Sequence, residues 1–273
     1  MEVKNNKELL YDLYVTQGKS LSDIAAMYSK SAMTVRSWLI NNKISIRPST
    51  QDIYKEIKAT SFTQAQKSLL IGSLLGDGSI NKGKDCINAR FFERHGEAQH
   101  DYLVWKLNML KPFVQSKLSV AEAKDHIISG VACKTSKSYS FSTIAHPYIT
   151  GLYNLFYKDG SKVVPHSLTD FINILVVAIW FCDDGCLTYD ATRGIYRLDL
   201  HTESFSYNEN VFLCREVLSK FFNIGFRLNT RHYLSGKAFY ICLSGKDNLR
   251  SVVKKIESVI PECMLYKFKH YLT

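Results

Sequence analysis

Several features are scarce or missing in this 273-residue chain. No apolar run reaches the about 18 residues needed to cross a bilayer, so no membrane span is expected. Residues 1–14 lack the apolar core of a secretory signal. Cysteine is sparse and odd in number: seven, at 86, 133, 182, 186, 214, 242 and 263. A scattered odd set without a secretion signal predicts reduced thiols inside the cell, in cytoplasm or nucleoid, or in an organelle if the gene lies there. Cys182 and Cys186 are the closest pair, and neither has further Cys or His partners at zinc spacing. Acidic residues are also short: 25 against 35 Lys and Arg, for a net charge of +10. No acid lies between Asp23 and Asp52, where Lys30, Arg36, Lys43 and Arg47 fall, or between Glu216 and Asp247, where Arg227, Arg231, Lys237 and Lys246 fall. Such stretches suit a surface facing phosphates.

Apolar residues make up 46% of the chain, enough for real cores, and the length suggests about two domains. Residues 5–17 read as a helix with Leu9, Leu10, Leu13 and Tyr14 on one face. Leu21, Ile24, Ala25 and Tyr28 form a second stripe, with Ser20 or Ser22 as its cap. A third helix starts after Ser31 and turns Val35, Trp38 and Leu39 inward. One short turn joins the second and third helices, a pattern that resembles the helix-turn-helix. In that fold the third helix enters the major groove, which here would present Ser31, Ala32, Met33, Thr34, Arg36 and Ser37. Pro48 and the polar residues after it read as the start of a connector.

The remainder contains a spaced repeat. SLLIGSLLGDGSI ends at Asp77-Gly78 and ILVVAIWFCDDGCL at Asp184-Gly185, 107 residues later. Helix-like segments follow at 99–113 and 208–222. Lys162 lies 85 residues after Asp77, and Lys267 lies 83 after Asp184. Strand-like runs at 87–92, 139–144, 196–202, 226–233 and 239–244 fall between these marks. The fold class expected is α+β: a pseudo-twofold pair of αββαββα halves, preceded by an all-α domain. Two such halves suit a DNA duplex, which has its own local twofold axes.

Both runs are apolar nearly all round, so both helices should be buried. Gly72 and Ala178, small residues one position apart when the two runs are aligned on their Asp-Gly ends, should let the two helices pack closely at the centre. Gly78 and Gly185 should end them in left-handed turns. Asp77 and Asp184 would then face the negative ends of two helix dipoles and repel each other. Stability alone would not select this. A divalent cation would reverse the sign, and carboxylates with last-turn carbonyls at Gly76 and Asp183 make an all-oxygen set suited to Mg²⁺. Phosphodiester cleavage at paired Asp residues is chemistry of this kind.

LIGSLLGDG (70–78) and VAIWFCDDG (177–185) resemble the two motif copies of single-chain LAGLIDADG homing endonucleases. Lys162-Val-Val-Pro165, Leu200-His-Thr-Glu-Ser-Phe205 and Met264-Leu-Tyr-Lys267 fit the same pattern, over about residues 64–270. Leu75 and Cys182 replace the family's first Asp, and the acid before the final Gly is kept in both copies. The resemblance implies a site-specific double-strand DNA endonuclease acting as a monomer. Asp77 and Asp184 would hold Mg²⁺, which Mn²⁺ can replace, and Lys162 and Lys267 would be the basic residues of the two sites. It also implies a saddle of two four-stranded sheets over the duplex. Arg197, Asp199 and His201 alternate along one strand and Arg227, Asn229, Arg231 and Tyr233 along another, with Asn88 and Arg90 in the first half; these are the expected DNA contacts, together with Thr34 and Arg36. The domain division expected is 1–47 for the helix-turn-helix, 48–63 for a linker, 64–165 for the first half and 166–273 for the second.

Two alternatives share this fold. One is an RNA-splicing maturase that binds its host intron. The other is a non-cleaving transcription regulator, which should have lost the acids and lysines that are retained here.

Overall fold

The computed structural model describes the chain apart from residues 1–2, 49, 129–130, 193, 235, 269–270 and 272–273, and apart from the side chains at 50–51, 125–128, 131–134 and 190. Contacts divide it into two compact units, Met1–Glu56 and Ile57–Thr273.

In the first unit, α1 (Lys7–Tyr11) continues into a wider π turn, Asp12–Thr16. It is followed by α2 (Leu21–Met27) and α3 (Ala32–Asn41). Ser20, not Ser22, caps α2 through a reciprocal capping box with Asp23, and Ser31 caps α3. The short α2–α3 turn is closed by Lys30 N–H donating to Ala25 O at 2.9 Å, with Ser29 at φ 51°. Leu10, Leu13, Tyr14, Ile24, Ala25, Val35, Leu39 and Ile44 form the core. Ala25 is 4% exposed, so a larger side chain would have to push the helices apart. Arg47 departs from the phosphate-facing expectation. Its guanidinium lies 4.2 Å from the centre of the Tyr14 ring and donates to Gly18 O and Lys19 O, so it ties down the end of this unit's core.

The division between units falls inside α4 (Thr50–Ala59), where the sequence suggested a linker. The second unit opens with α5 (Gln64–Leu75), capped by Thr63 and Gln66. Then come β1 (Ser79–Asn81), β2 (Arg90–Gly96), α6 (His100–Met109), β3 (Ser119–Ala121), β4 (Lys124–Ile128), β5 (Val131–Thr135), β6 (Ser138–Ser142) and α7 (Pro147–Phe156). A small hairpin, β7 (Tyr157–Lys158) and β8 (Ser161–Lys162), leads to α8 (Ile174–Asp184). The second half continues with β9 (Gly185–Asp190), β10 (Ile195–Leu200), α9 (Tyr207–Phe212), a π segment, α10 (Lys220–Phe222), β11 (Arg227–Tyr233), β12 (Gly236–Ser244) and α11 (Lys246–Glu257).

The two four-stranded sheets are antiparallel and have the same topology: β1-β2-β6-β3 in the first half and β9-β10-β12-β11 in the second. The chain is therefore the expected α+β pair of repeats. The β4–β5 hairpin is an insertion that the repeat pattern did not predict. One continuous apolar core runs through both halves, from Leu70 and Leu74 on α5 to Trp180 and Phe181 on α8 and Val252 on α11.

α5 and α8 pack side by side, as their all-round apolar character requires. At Gly72 an added Cβ would fall 2.7 Å from Ile179 Cβ and 2.7 Å from Val176 O. Glycine is needed there for helix approach. The left-handed turns expected at Gly78 and Gly185 do not occur: neither is among the positive-φ glycines, and Gly185 has φ −91°. Both are small for a different reason. A Cβ at Gly78 would meet the Phe91 ring at 2.7 Å, and one at Gly185 would meet Phe181. Among the described residues no helix is long and apolar enough to cross a membrane.

Candidate active site

The two motif helices end next to each other. At Gly76, an added Cβ would lie 2.5 Å from Asp183 Cβ, so this glycine lets the end of α8 come up against the end of α5. Asp77 follows directly, with its side chain 40% exposed. Asp184 is the last residue of α8. Its carboxyl is pushed up to about 7, chiefly by burial and then by repulsion from Asp77 and Asp183. Asp77 therefore stands close enough to oppose the ionisation of Asp184.

Each acid has a partly buried lysine nearby. Lys162, on β8, donates to Gly76 O at 3.0 Å and Gly78 O at 2.8 Å. Lys267 donates to Phe181 O at 3.2 Å and Gly185 O at 2.8 Å. Each thus bridges two backbone carbonyls at the end of its motif helix. Burial lowers both lysines below the ordinary value, and neighbouring acids work against the shift. The strongest carboxylate influences on Lys162 are Asp184 and then Asp77; on Lys267 they are Asp183 and then Asp184.

Sequence reasoning missed the other part of the site. Asp183 was expected to offer only its carbonyl, but its side chain is fully buried and engaged. Lys106 Nζ donates to its two carboxylate oxygens at 2.8 and 3.0 Å, and Tyr102 OH donates at 2.9 Å. Lys106 is itself wholly buried on α6, with Ser73 Oγ at 2.8 Å and Glu93 Oε1 as a second carboxylate partner. Glu93 also meets His95 Nε2 at 2.7 Å, and His95 Nδ1 stands 3.7 Å from Asp77 Oδ2. One ligand atom each from Asp77, His95 and Asp183 lie within 4.8 Å of one another. Burial works against charge on Lys106, but Asp183 and Glu93 outweigh it and hold the ammonium above its ordinary value. A period-2 signal was available on β2, where Phe91, Glu93 and His95 all point inward. It could not be read as a site without knowing which carboxylate they meet.

The donor set fits a hard divalent cation. The carboxylates of Asp77 and Asp183, from the two helix ends, converge with His95, and the crowding that raises Asp184 is an excess of negative charge that a cation would relieve.

The residues expected to touch DNA divide into two groups. Arg90, Arg227 and Tyr233 are exposed on their strands. Asn88 lies in the loop before β2 and accepts from Thr150 Oγ1 at 3.2 Å, so its expected alternation with Arg90 along a strand does not hold. Asp199 is the clearest correction. It is 2% exposed and receives both Nε and a terminal nitrogen of Arg197, at 2.7 and 2.8 Å. It orients Arg197 and does not offer a free acceptor. Arg231 pairs with Glu203 at 2.8 Å and lies 5.1 Å from the centre of the Tyr240 ring, Asn229 donates to Tyr240 OH at 3.3 Å, and His201 stands 3.4 Å from Cys186 Sγ and from Glu203. These side chains form a pre-ordered polar layer. In the first unit Arg36 is exposed, and Thr34 shares a hydrogen bond with the capping Ser31 hydroxyl at 2.8 Å.

Two like-folded halves with acid–lysine pairs at adjoining helix ends define a repeat protein with a composite polar centre. The chain belongs to the LAGLIDADG DNA endonuclease family, whose family model matches residues 67–248. DNA endonuclease I-ChuI of Chlamydomonas applanata is 26% identical over 213 residues, 76% of this chain and 95% of that protein. Cytochrome b mRNA maturase bI2 of Debaryomyces hansenii is 27% identical over 204 residues, 75% of this chain and 73% of that protein. The fold matches the homing endonuclease I-WcaI bound to its DNA recognition sequence, with a TM-score of 0.64 at 21% identity over 83% of this chain and 96% of that one.

Proposed function

We propose that this chain is a site-specific homing endonuclease that hydrolyses both strands of a DNA duplex with Mg²⁺ at two pseudo-symmetric sites. The observation that carries the reading is the pair of adjoining Asp-Gly helix ends, each with a partly buried lysine on its carbonyls. Asp77 and Asp184 would hold Mg²⁺ or Mn²⁺, with the carbonyls of Gly76 and Asp183 as further oxygens. Such an ion, when bound, offsets charge on the phosphate and acidifies bound water. Lys162 and Lys267 orient the attacking water or meet charge on the pentavalent phosphate. Their lowered pKa values let each exchange a proton more readily than an exposed amine would. Arg90, Arg197, Arg227 and Arg231 meet phosphates or base edges along the duplex. The test is recovery of broken ends from a randomised duplex library. One recovered sequence, cut in Mg²⁺ and intact in EDTA, is expected. Equal cutting in EDTA rejects metal chemistry, and no cutting in either rejects the nuclease reading.

Residues 1–47 would add contacts through α3. Arg36→Ala should weaken DNA binding a few-fold and reduce the salt slope by about one. An unchanged slope in a salt titration removes this module from the interface. The maturase relative favours a second role beside cutting, assistance to the host intron RNA. Unchanged splicing of that intron with and without the protein would reject it.

A further inference from the structure

The two active sites differ in a way that follows the repeat residue by residue. Asp77 and Asp184 are 107 residues apart, and the sheets keep this offset: Ile80 opposes Phe91 where Leu187 opposes Leu198. The next helices keep it too, with N-caps at Gln99 and Ser206. By this offset Gly76 corresponds to Asp183, Glu93 to Leu200 and Lys106 to Leu213. Leu200 and Leu213 are 1% and 0% exposed, and so simply fill core. The first half therefore carries a buried acid and a buried lysine where the second half carries two leucines. That charged pair faces the one motif helix that ends in two acids.

Buried ionic groups are a poor way to gain stability, since apolar residues of similar size do as well or better. The second half shows that this fold accepts apolar residues at both positions. What Lys106 does have is a geometric task. It holds Asp183, from the other half, on both carboxylate oxygens, while Ser73 on α5 and Glu93 on β2 hold Lys106. Asp184 is the next residue on the same last turn.

We infer that Lys106 is a positioning residue for the second motif, a counter-cation shared by Glu93 and Asp183 that fixes the α8 end carrying Asp184, so that the two strands are cut by unequally built sites. This rests on the two-acid nuclease reading. Without the ammonium, Asp183 would add its charge to Asp77 and Asp184 and would lose its anchor. At Gly76 there is no side chain to hold, so the site of Asp77 depends less on Lys106.

The test uses the full chain and its cleaved duplex labelled on each strand in turn, with Mg²⁺ titrated. Lys106→Met should change the ratio of the two strand-cutting rates by roughly ten-fold or more, the scale expected when support behind a metal ligand is lost. Nicked duplex should accumulate, and more Mg²⁺ should be needed. Lys106→Met strands both Asp183 and Glu93. Adding Asp183→Asn and Glu93→Gln to it removes both stranded charges and should bring the ratio back toward that of the unaltered protein. Equal slowing of both strands, or a ratio that these two changes fail to restore, overturns the inference. If Lys106→Met does not fold, the triple variant decides alone: a ratio like that of the unaltered protein supports the role, and equal slowing overturns it. An unaltered protein that cuts nothing in Mg²⁺ overturns the nuclease reading instead, so the two failures are distinguishable.

Discussion

The end of α5 and the end of α8 occupy equivalent places in the repeat, yet one carries a single carboxylate and the other carries two. At the first, Gly76 gives way and Asp77 stays largely open to solvent. At the second, Asp183 is buried against Lys106, and Asp184 is held back from ionising. Duplicated halves thus share a fold without sharing an electrostatic environment. A motif's consensus acid is therefore only part of its site. The residue beside it decides what the opposite half must supply.

The acids should show the largest effects. Asp184→Asn and Asp77→Asn should each slow double-strand cutting by roughly a hundred- to a thousand-fold, with binding largely kept. A fully active Asp184→Asn protein in a plasmid linearisation assay would remove the metal-holding role. The lysines sharpen the comparison next. Lys162 feels both Asp184 and Asp77 most directly among the acids, whereas Lys267 feels Asp183 and Asp184. Lys162→Met should therefore slow cutting more than Lys267→Met, each by roughly ten- to a hundred-fold. Single-turnover rates showing the reverse order would contradict the reading of the two surroundings.

The smallest effect expected is on stability against pH. A carboxyl raised in the folded state holds its proton more tightly there than in the unfolded chain. The stability it contributes is complete below its ordinary value of 3.8 and is lost as pH rises through about 7. Metal-free protein should therefore lose thermal stability from about pH 5 to about pH 8, and Asp184→Asn should lose less over the same range. Mg²⁺ should raise the melting temperature of the unaltered protein at the upper end. Parallel pH curves for the two proteins would show that Asp184 is not the group responsible.

Much of the second unit was legible in the chain. The matched Asp-Gly ends, the apolar helices and the lysines at similar offsets act through local spacing, which a repeat preserves. Gly72 was legible because a small residue in an otherwise large apolar helix marks a close helix approach, although its repeat partner, Ile179, is large. Gly78 and Gly185 were misjudged because a glycine after a helix can serve either backbone freedom or close approach, and only the neighbours Phe91 and Phe181 distinguish the two. The β4–β5 insertion broke the repeat and so escaped a reading based on repetition.

The charged residues show the same limit. Arg197 and Asp199 alternate as a strand predicts, but the pattern could not say that Asp199 is spent on Arg197. Lys106 could not be found as a candidate, because an isolated lysine in an apolar helix has no partner in its own sequence neighbourhood. Its carboxylates come from residues 93 and 183. By itself the sequence determined the repeat, the buried pair of helices and the two acids, since these follow from periodicity and fixed spacing. Only the tertiary structure decided that the two ends differ, because that depends on which charges from distant segments become neighbours once water is excluded.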